Sequence, residues 1–269
     1  MMLATYGIIL WGSLFGLALG MTGSGGIIAI PVLVYGMGLP THSAVAVSLF
    51  AVAATAFFGN LERFLGHDPN LKWKAGLILA AAGVLLAPVG TKVGTMLPAN
   101  VLLAIFSALM LFIGVRMWLK ATKEPITAPH AETADATNDH DRDHESSGSE
   151  MRGLISGGVA AGFLSGFLGV GGGFLIVPAL QAAGLSIKQA VSTSLLAVFV
   201  ISTSGAVSHF IQNPKLDLHI AIEFSIGGVL GLNIGMDLIK SLPAQWIQKI
   251  FAIFVILVAI AMLIEKTIA

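Results

Sequence analysis

GLALGMTGSGG at residues 16–26 and GFLSGFLGVGG at residues 162–172 are one motif written twice. Gly16, Gly20, Gly23, Gly25 and Gly26 align with Gly162, Gly166, Gly169, Gly171 and Gly172, and with one residue of slippage Pro31 aligns with Pro178. The match continues outward. GLPTHSAVAVSL (38–49) aligns with GLSIKQAVSTSL (184–195), Gly59 with Gly205, Phe64 with Phe210, and Pro69 with Pro214. Further on, Gly83 aligns with Gly228, Gly90 with Gly235, and Leu97-Pro98 with Leu242-Pro243. A match of this length is an internal repeat, the feature to establish before any finer reading.

Each copy lies in a long apolar run. Of the 269 residues, 56% are hydrophobic and 10% are charged, whereas about a quarter of a soluble domain is charged. A chain this apolar cannot cover its surface in water, and its mean hydropathy of +0.90 makes lipid the natural solvent. A spanning helix needs about 20 apolar residues. Runs of that order cover 5–38, 43–65, 73–96 and 98–119, then 152–183, 187–211, 217–241 and 244–264. The sequence therefore predicts an all-α integral membrane protein of about eight transmembrane segments in two homologous four-segment halves. The first membrane repeat is 1–120, a polar flexible linker is 121–151, and the second repeat is 152–269. Pro40-Thr41, His67-Asp68-Pro69-Asn70, Leu97-Pro98-Ala99, Asn213-Pro214-Lys215 and Leu242-Pro243-Ala244 mark the corners, since proline cannot continue a helix but suits its first turn.

The N-terminus MMLATYGIILW has no positive region, so the first run is expected to belong to the fold and not to a cleaved signal. With single crossings and a cytoplasmic start, one set of loops holds Arg63, Lys72, Lys74, Lys120, Lys123, Arg152, Lys215 and Lys266; the other holds Lys92, Lys188 and Lys240. The positive-inside rule then puts both termini and the linker in the cytoplasm, the protein being multi-pass in the inner membrane. This assignment requires that 5–38 and 152–183 each cross once.

The linker contains TNDHDRDHESSGSE and cannot bury enough apolar surface to fold. His130, His140 and His144 among Asp139, Asp141 and Asp143 read as a solvated loop ahead of a metal site. No cofactor and no resident metal are called for. With no cysteine and a net charge of zero, the chain has no thiolate chemistry and no basic field for nucleic acid. Its expected partners are the bilayer and a small anion, with protons as the candidate coupling ion.

The glycine clusters carry the functional reading. Gly16, Gly20, Gly162 and Gly166 have the small-xxx-small spacing of close helix packing. The glycines after them should unwind the helix, which at membrane depth is tolerated only where backbone lines a cavity or is buried in protein. Paired breaks in two halves point to a transport site near the midplane. Helix resuming at about Ile27 or Phe174 presents free N–H groups and a positive dipole end, which suits an anion. Hydroxyls of Thr22, Ser24, Ser48, Ser192, Thr193 and Ser194 would assist. Glu62, Arg63 and, at the position of Arg63 in the second half, His209 are candidates for gating or proton relay, with interfacial anchoring as the plainer reading. Glu223, Asp237 and Lys240 flank the seventh run and are read in the same way.

The pattern GxxxGxxGxGG with its following proline in both halves, and AVSTSL at 190–195, resembles the TauE/SafE sulfite exporter family, also called the TSUP family. The resemblance covers nearly the whole chain outside the linker. It implies a duplicated bundle that moves sulfite or organosulfonates across bacterial membranes. Residue by residue, it places the substrate region at Gly23, Gly25, Gly26, Gly169, Gly171 and Gly172, with Ser48, Thr193 and Ser194; Gly173 extends the second cluster. The first half departs from the pattern, with Val47 in the place of Thr193 and Ile27 in the place of Gly173. The reading is a secondary transporter and not an enzyme. An anion channel of the same architecture is the alternative. An intramembrane hydrolase using Ser24 or Ser194 lacks a nucleophile elbow.

Overall fold

Backbone polar groups in lipid must be satisfied within the protein, and among the described residues of the computed structural model the regular structure is helical. The model describes residues 2–23, 26–66, 69–123, 147–212, 217–241 and 244–268. The helices are α1 (Met2–Thr22), α2 (Gly26–Pro31), α3 (Thr41–Leu65), α4 (Trp73–Met96), α5 (Ala99–Lys123), α6 (Ser147–Leu168), α7 (Gly173–Ala182), α8 (Ile187–Gln212), α9 (Leu218–Ser241) and α10 (Ala244–Ile268). Among the described residues, six helices are long and apolar enough to cross a membrane: α3, α4, α5, α6, α8 and α9. Helix interrupts at both glycine clusters, as the sequence predicts, between Thr22 and Gly26 and between Leu168 and Gly173.

The corners behave as their prolines dictate. Pro98 stands just ahead of α5, and its carbonyl accepts the first helical bonds from Val101 and Leu102. The Pro40 carbonyl does the same for Ala44 at the start of α3. Pro31 is inside α2, where it cannot donate to the carbonyl of Ile27. The winding loosens directly after it into a π-helical turn over Val32–Gly36. α5 runs to Lys123 and α6 starts at Ser147. His130, Asp139, His140, Asp141, Asp143 and His144 lie outside the described residues, as do Asn213-Pro214-Lys215 and Leu242-Pro243.

Small residues fix the packing. Gly12, Gly16 and Gly20 of α1 lie against Phe224, Gly228 and Leu232 of α9, with backbone on backbone. Gly158, Gly162 and Gly166 of α6 lie against Leu79, Gly83 and Ala87 of α4 in the same manner. These are the two most extensive helix pairings among the described residues, and they give Gly16, Gly20, Gly162 and Gly166 the packing role expected of them. Both pairings join the first helix of one repeat to the third long helix of the other.

The residue pairs also fix helix direction. α1 and α9 run parallel, since both numbers rise together along the contact. α3 runs parallel to α9, with Thr55 at Gly228, Gly59 at Leu232 and Arg63 at Met236. α3 and α8 are antiparallel, with Gly59 at Leu195 and Leu49 at Gly205. α4 is parallel to α8, with Gly76 at Thr193 and Gly83 at Ile201.

Two corrections follow. α1 and α3 point the same way, so the chain between them must double back. The α2 segment does this, bringing Gly36 beside the ring of Trp11. In the same way α7 returns along α6 and brings Ala179 onto Gly157. The runs 5–38 and 152–183 are therefore helical hairpins in place of interrupted single crossings. In addition α6 is antiparallel to α1, so α6 begins on the face where α1 ends. The end of the linker and the start of α1 lie on opposite faces, which removes the basis of the loop-charge assignment.

Candidate functional site

The two breaks meet inside the bundle. Gly26, the first residue of α2, lies directly on the carbonyl of Val170 in the other break. Gly23, Gly26 and Val170 to Gly173 are all buried. Gly169, Gly171 and Gly172 have φ of 76°, 73° and 70°, a left-handed backbone that only glycine adopts freely. This lets the chain reverse within four residues between α6 and α7. Gly171 fits between Val52 of α3 and Ser202 of α8: a Cβ there would stand 2.5 Å from Val52 Cγ1 and 2.9 Å from Ser202 Oγ. Both neighbours lie near the middle of their helices, so this break passes through the centre of the α3–α8 crossing.

The second helices of the two repeats supply the polar contacts crosswise. Ser48 of α3, fully buried, donates from Oγ to the carbonyl of Gly169 at 2.7 Å. Ser194, its counterpart in α8, stands beside Gly23 and donates to the carbonyl of Val191 in its own helix at 2.9 Å. A serine has a single O–H to donate. In this conformation both are donated to backbone carbonyls, so each hydroxyl must rotate before it can donate to an anion.

Thr193 departs from its predicted place at the break. Its Oγ1 accepts from the N–H of Lys72 at 3.0 Å, and its methyl faces Gly76. It anchors the start of α4 on α8, about 100° around the helix from Ser194. Gly172 is the N-cap of α7 with no side-chain cap, and Gly173 is the first residue of that helix. Ser24 and Gly25 lie outside the described residues, as do the side chains of Thr22 and Glu62.

Arg63 and His209, equivalent under the repeat, both act on backbone carbonyls. Arg63 Nη1 donates to the carbonyls of Val191 and Ser192 at 3.2 and 3.1 Å, and Nη2 reaches Met236 Sδ at 3.9 Å. His209 is buried, with Nε2 3.3 Å from the carbonyl of Gly166. Thr91 Oγ1 donates to that same carbonyl at 3.4 Å. Carbonyls in the last turn of a helix have no intrahelical donor, and at the end of α6 Thr91 and His209 are placed to meet this need. Asn60 adds a further bond across the crossing, from Nδ2 to the carbonyl of Leu195 at 2.9 Å.

Ser202 stood outside the sequence reading of the site, whereas Glu223 was read with the gating and anchoring candidates. Ser202 Oγ is buried without a hydrogen-bond partner, and so is Oε2 of Glu223, whose Oε1 pairs with His219 Nε2 at 3.3 Å. The available sequence signal for Ser202 was its place about two helix turns after AVSTSL; nothing in the residue type distinguished it from other serines of α8. Among the described residues no group of three metal-ligating side chains comes together.

The sequence pattern of the family described as sulfite exporter TauE/SafE matches residues 8–262. A probable membrane transporter protein of Xylella fastidiosa is 34% identical, over 93% of this chain and 91% of its own length. A probable membrane transporter protein of Haemophilus influenzae is 28% identical, over 96% of this chain and 97% of its own. The probable membrane transporter protein YunE of Bacillus subtilis is 26% identical, over 94% and 93%. No solved structure matches the chain.

Proposed function

The chain belongs to the sulfite exporter TauE/SafE family, and from that premise we propose that it is a secondary transporter of a small sulfur oxyanion, sulfite or an organosulfonate, in the bacterial cytoplasmic membrane. The observation that carries this reading is the meeting of two glycine breaks in the interior, with Gly26 on Val170. Backbone N–H groups at helix starts favour negative charge. Buried glycine backbone allows a ligand to approach closely. The anion would be held there by backbone amides, with Ser48 and Ser194 turning toward it, and protons are the candidate coupling ion.

The helix directions support a further part of the proposal. We infer two repeats in inverted topology, related by a pseudo-two-fold axis in the membrane plane, as in several transporter folds. Each repeat would comprise a hairpin and three long helices. Alternating access would not move one repeat as a body against the other, because α1 is locked to α9 and α4 to α6 across the repeats. The moving units are those cross-repeat pairs, rocking about the α3–α8 crossing.

The test is uptake of labelled sulfite into proteoliposomes, with excess unlabelled sulfite, taurine, sulfoacetate, sulfate or chloride as competitor. Saturable uptake blocked by sulfite or a sulfonate supports the reading. Uptake that never saturates favours a channel. Absence of flux under both a pH gradient and a membrane potential refutes it.

A further inference from the structure

The hydroxyl of Ser202 is fully buried and has no hydrogen-bond partner. Serine or threonine inside a helix ordinarily turns its hydroxyl onto a carbonyl one turn back. Thr203 does so to Phe199, and Ser208 to Ser204. Ser202 does not, and its oxygen faces Gly171. Beyond Gly171 the ten-residue helix α7 begins, uncapped by any side chain. Leu175 and Ile176 donate to the Gly172 carbonyl, which leaves the N–H groups of Gly173 and Phe174 without an acceptor inside the helix. Buried polar groups are as a rule partnered. An unpartnered hydroxyl beside an uncapped, buried helix start calls for a ligand that accepts from both.

We infer that Ser202 is a substrate-binding residue, whose hydroxyl and the first amides of α7 together hold the oxygens of the anion. This rests on the transport reading above and makes the site lopsided. Under the repeat, Ser202 corresponds to Ala56, a buried methyl with no hydrogen bond to give. The ligand chemistry is a face of three sulfur-bound oxygens, common to sulfite and the sulfonates. Competition by taurine against sulfite separates those two sources.

The experiment compares Ser202→Ala with Thr55→Ala. Thr55 carries another buried, unpartnered hydroxyl, placed against Gly228 of α9. In proteoliposomes, Ser202→Ala should raise the half-saturation concentration for labelled sulfite about tenfold or more, the usual scale for a lost hydrogen bond to a charged group. Thr55→Ala should leave it unchanged. In detergent without anion, Ser202→Ala should unfold at the wild-type temperature or above, because removing an unpartnered buried hydroxyl removes a desolvation cost. The upward shift that excess sulfite or taurine gives the wild type should shrink in this variant. A merely structural hydroxyl would lower the anion-free unfolding temperature and leave the shift intact. Wild-type uptake with unchanged half-saturation in Ser202→Ala overturns the inference and leaves the transport reading standing. Absence of saturable wild-type uptake overturns the transport reading, and the unfolding shift then decides. A shift lost in Ser202→Ala upholds the anion site; a shift equal in both proteins, or absent from the wild type, overturns it. If the alanine variant is recovered poorly, Ser202→Gly removes the same hydroxyl, and poor recovery of both overturns the inference.

Discussion

Gly171→Ala tests the packing at the centre of the bundle. Alanine at φ of 73° carries a backbone penalty of about 1–2 kcal/mol. Its methyl would stand 2.5 Å from Val52 Cγ1 and 2.9 Å from Ser202 Oγ, inside the roughly 3.5–4.0 Å of an ordinary carbon contact. Val52 is fully buried and β-branched, so it cannot swing aside. Overpacking of this kind costs about 1–3 kcal/mol. Together the two effects destabilise by about 2–5 kcal/mol, a large part of a net stability of about 5–15 kcal/mol. The variant should fold, melt lower, and transport about tenfold to a hundredfold more slowly, as misplaced binding groups do. Val52→Ala removes the clashing Cγ1. Thermal unfolding of both single variants and the double variant should show a favourable coupling of about 1–2 kcal/mol. Gly171→Val should abolish uptake while insertion persists. Additive single effects, within about 0.5 kcal/mol, together with wild-type uptake in Gly171→Ala, would refute both the proposed contact and the importance of this backbone.

Ser48→Ala leaves the buried carbonyl of Gly169 without its donor and should cost about 1–3 kcal/mol in thermal unfolding. Ser194→Ala removes only a bond to its own helix and should cost under about 1 kcal/mol; equal effects would count against the crosswise role of Ser48. Gly162→Leu drives a side chain into the backbone of Gly83, whereas Gly153 meets nothing within 4 Å. Size-exclusion profiles should show the first variant aggregated and Gly153→Leu like the wild type. The chain has no cysteine, so single cysteines report on topology without background. Pro40→Cys and Ser186→Cys, both exposed and each just after a hairpin, should react with an impermeant thiol reagent from opposite faces. Reaction from the same face would exclude inverted repeats.

Periodicity and composition made part of this molecule readable in advance. Gly16 and Gly20 are spaced for one helix face, and so are Gly162 and Gly166, so a packing ridge follows from spacing alone. Clustered glycines at 23–26 and 169–173 weaken a helix wherever they occur, so the breaks were legible too. Direction was not. An apolar run such as Ile27–Leu33 has the same composition whether the chain continues across the membrane or turns back. The turn is decided by the sign of φ at Gly23, Gly169, Gly171 and Gly172, which residue type permits and does not dictate. AVSTSL marked the right stretch of α8 but could not say that Thr193 faces α4 while Ser194 faces Gly23, because that depends on which helices surround α8. Ser202 was hidden for a similar reason. A serine in an apolar helix usually bonds back to its own backbone, and the exception shows only once the neighbours are in place.

The cross-repeat pairing of α1 with α9 has a consequence for how the protein is made. Roughly 200 residues of chain must leave the ribosome between the two helices, which at about 5–20 residues per second takes about 10–40 seconds. Through that interval the bare face of Gly12, Gly16 and Gly20 has lipid, or the insertion machinery, for a neighbour. α4 waits far less for α6, since only the linker and α5 separate them. Biogenesis should therefore proceed with the α4–α6 contact joining the repeats first and α1 seated late. A nascent chain arrested before α9 would hold a hairpin at its N-terminal end whose glycine face lacks its partner helix.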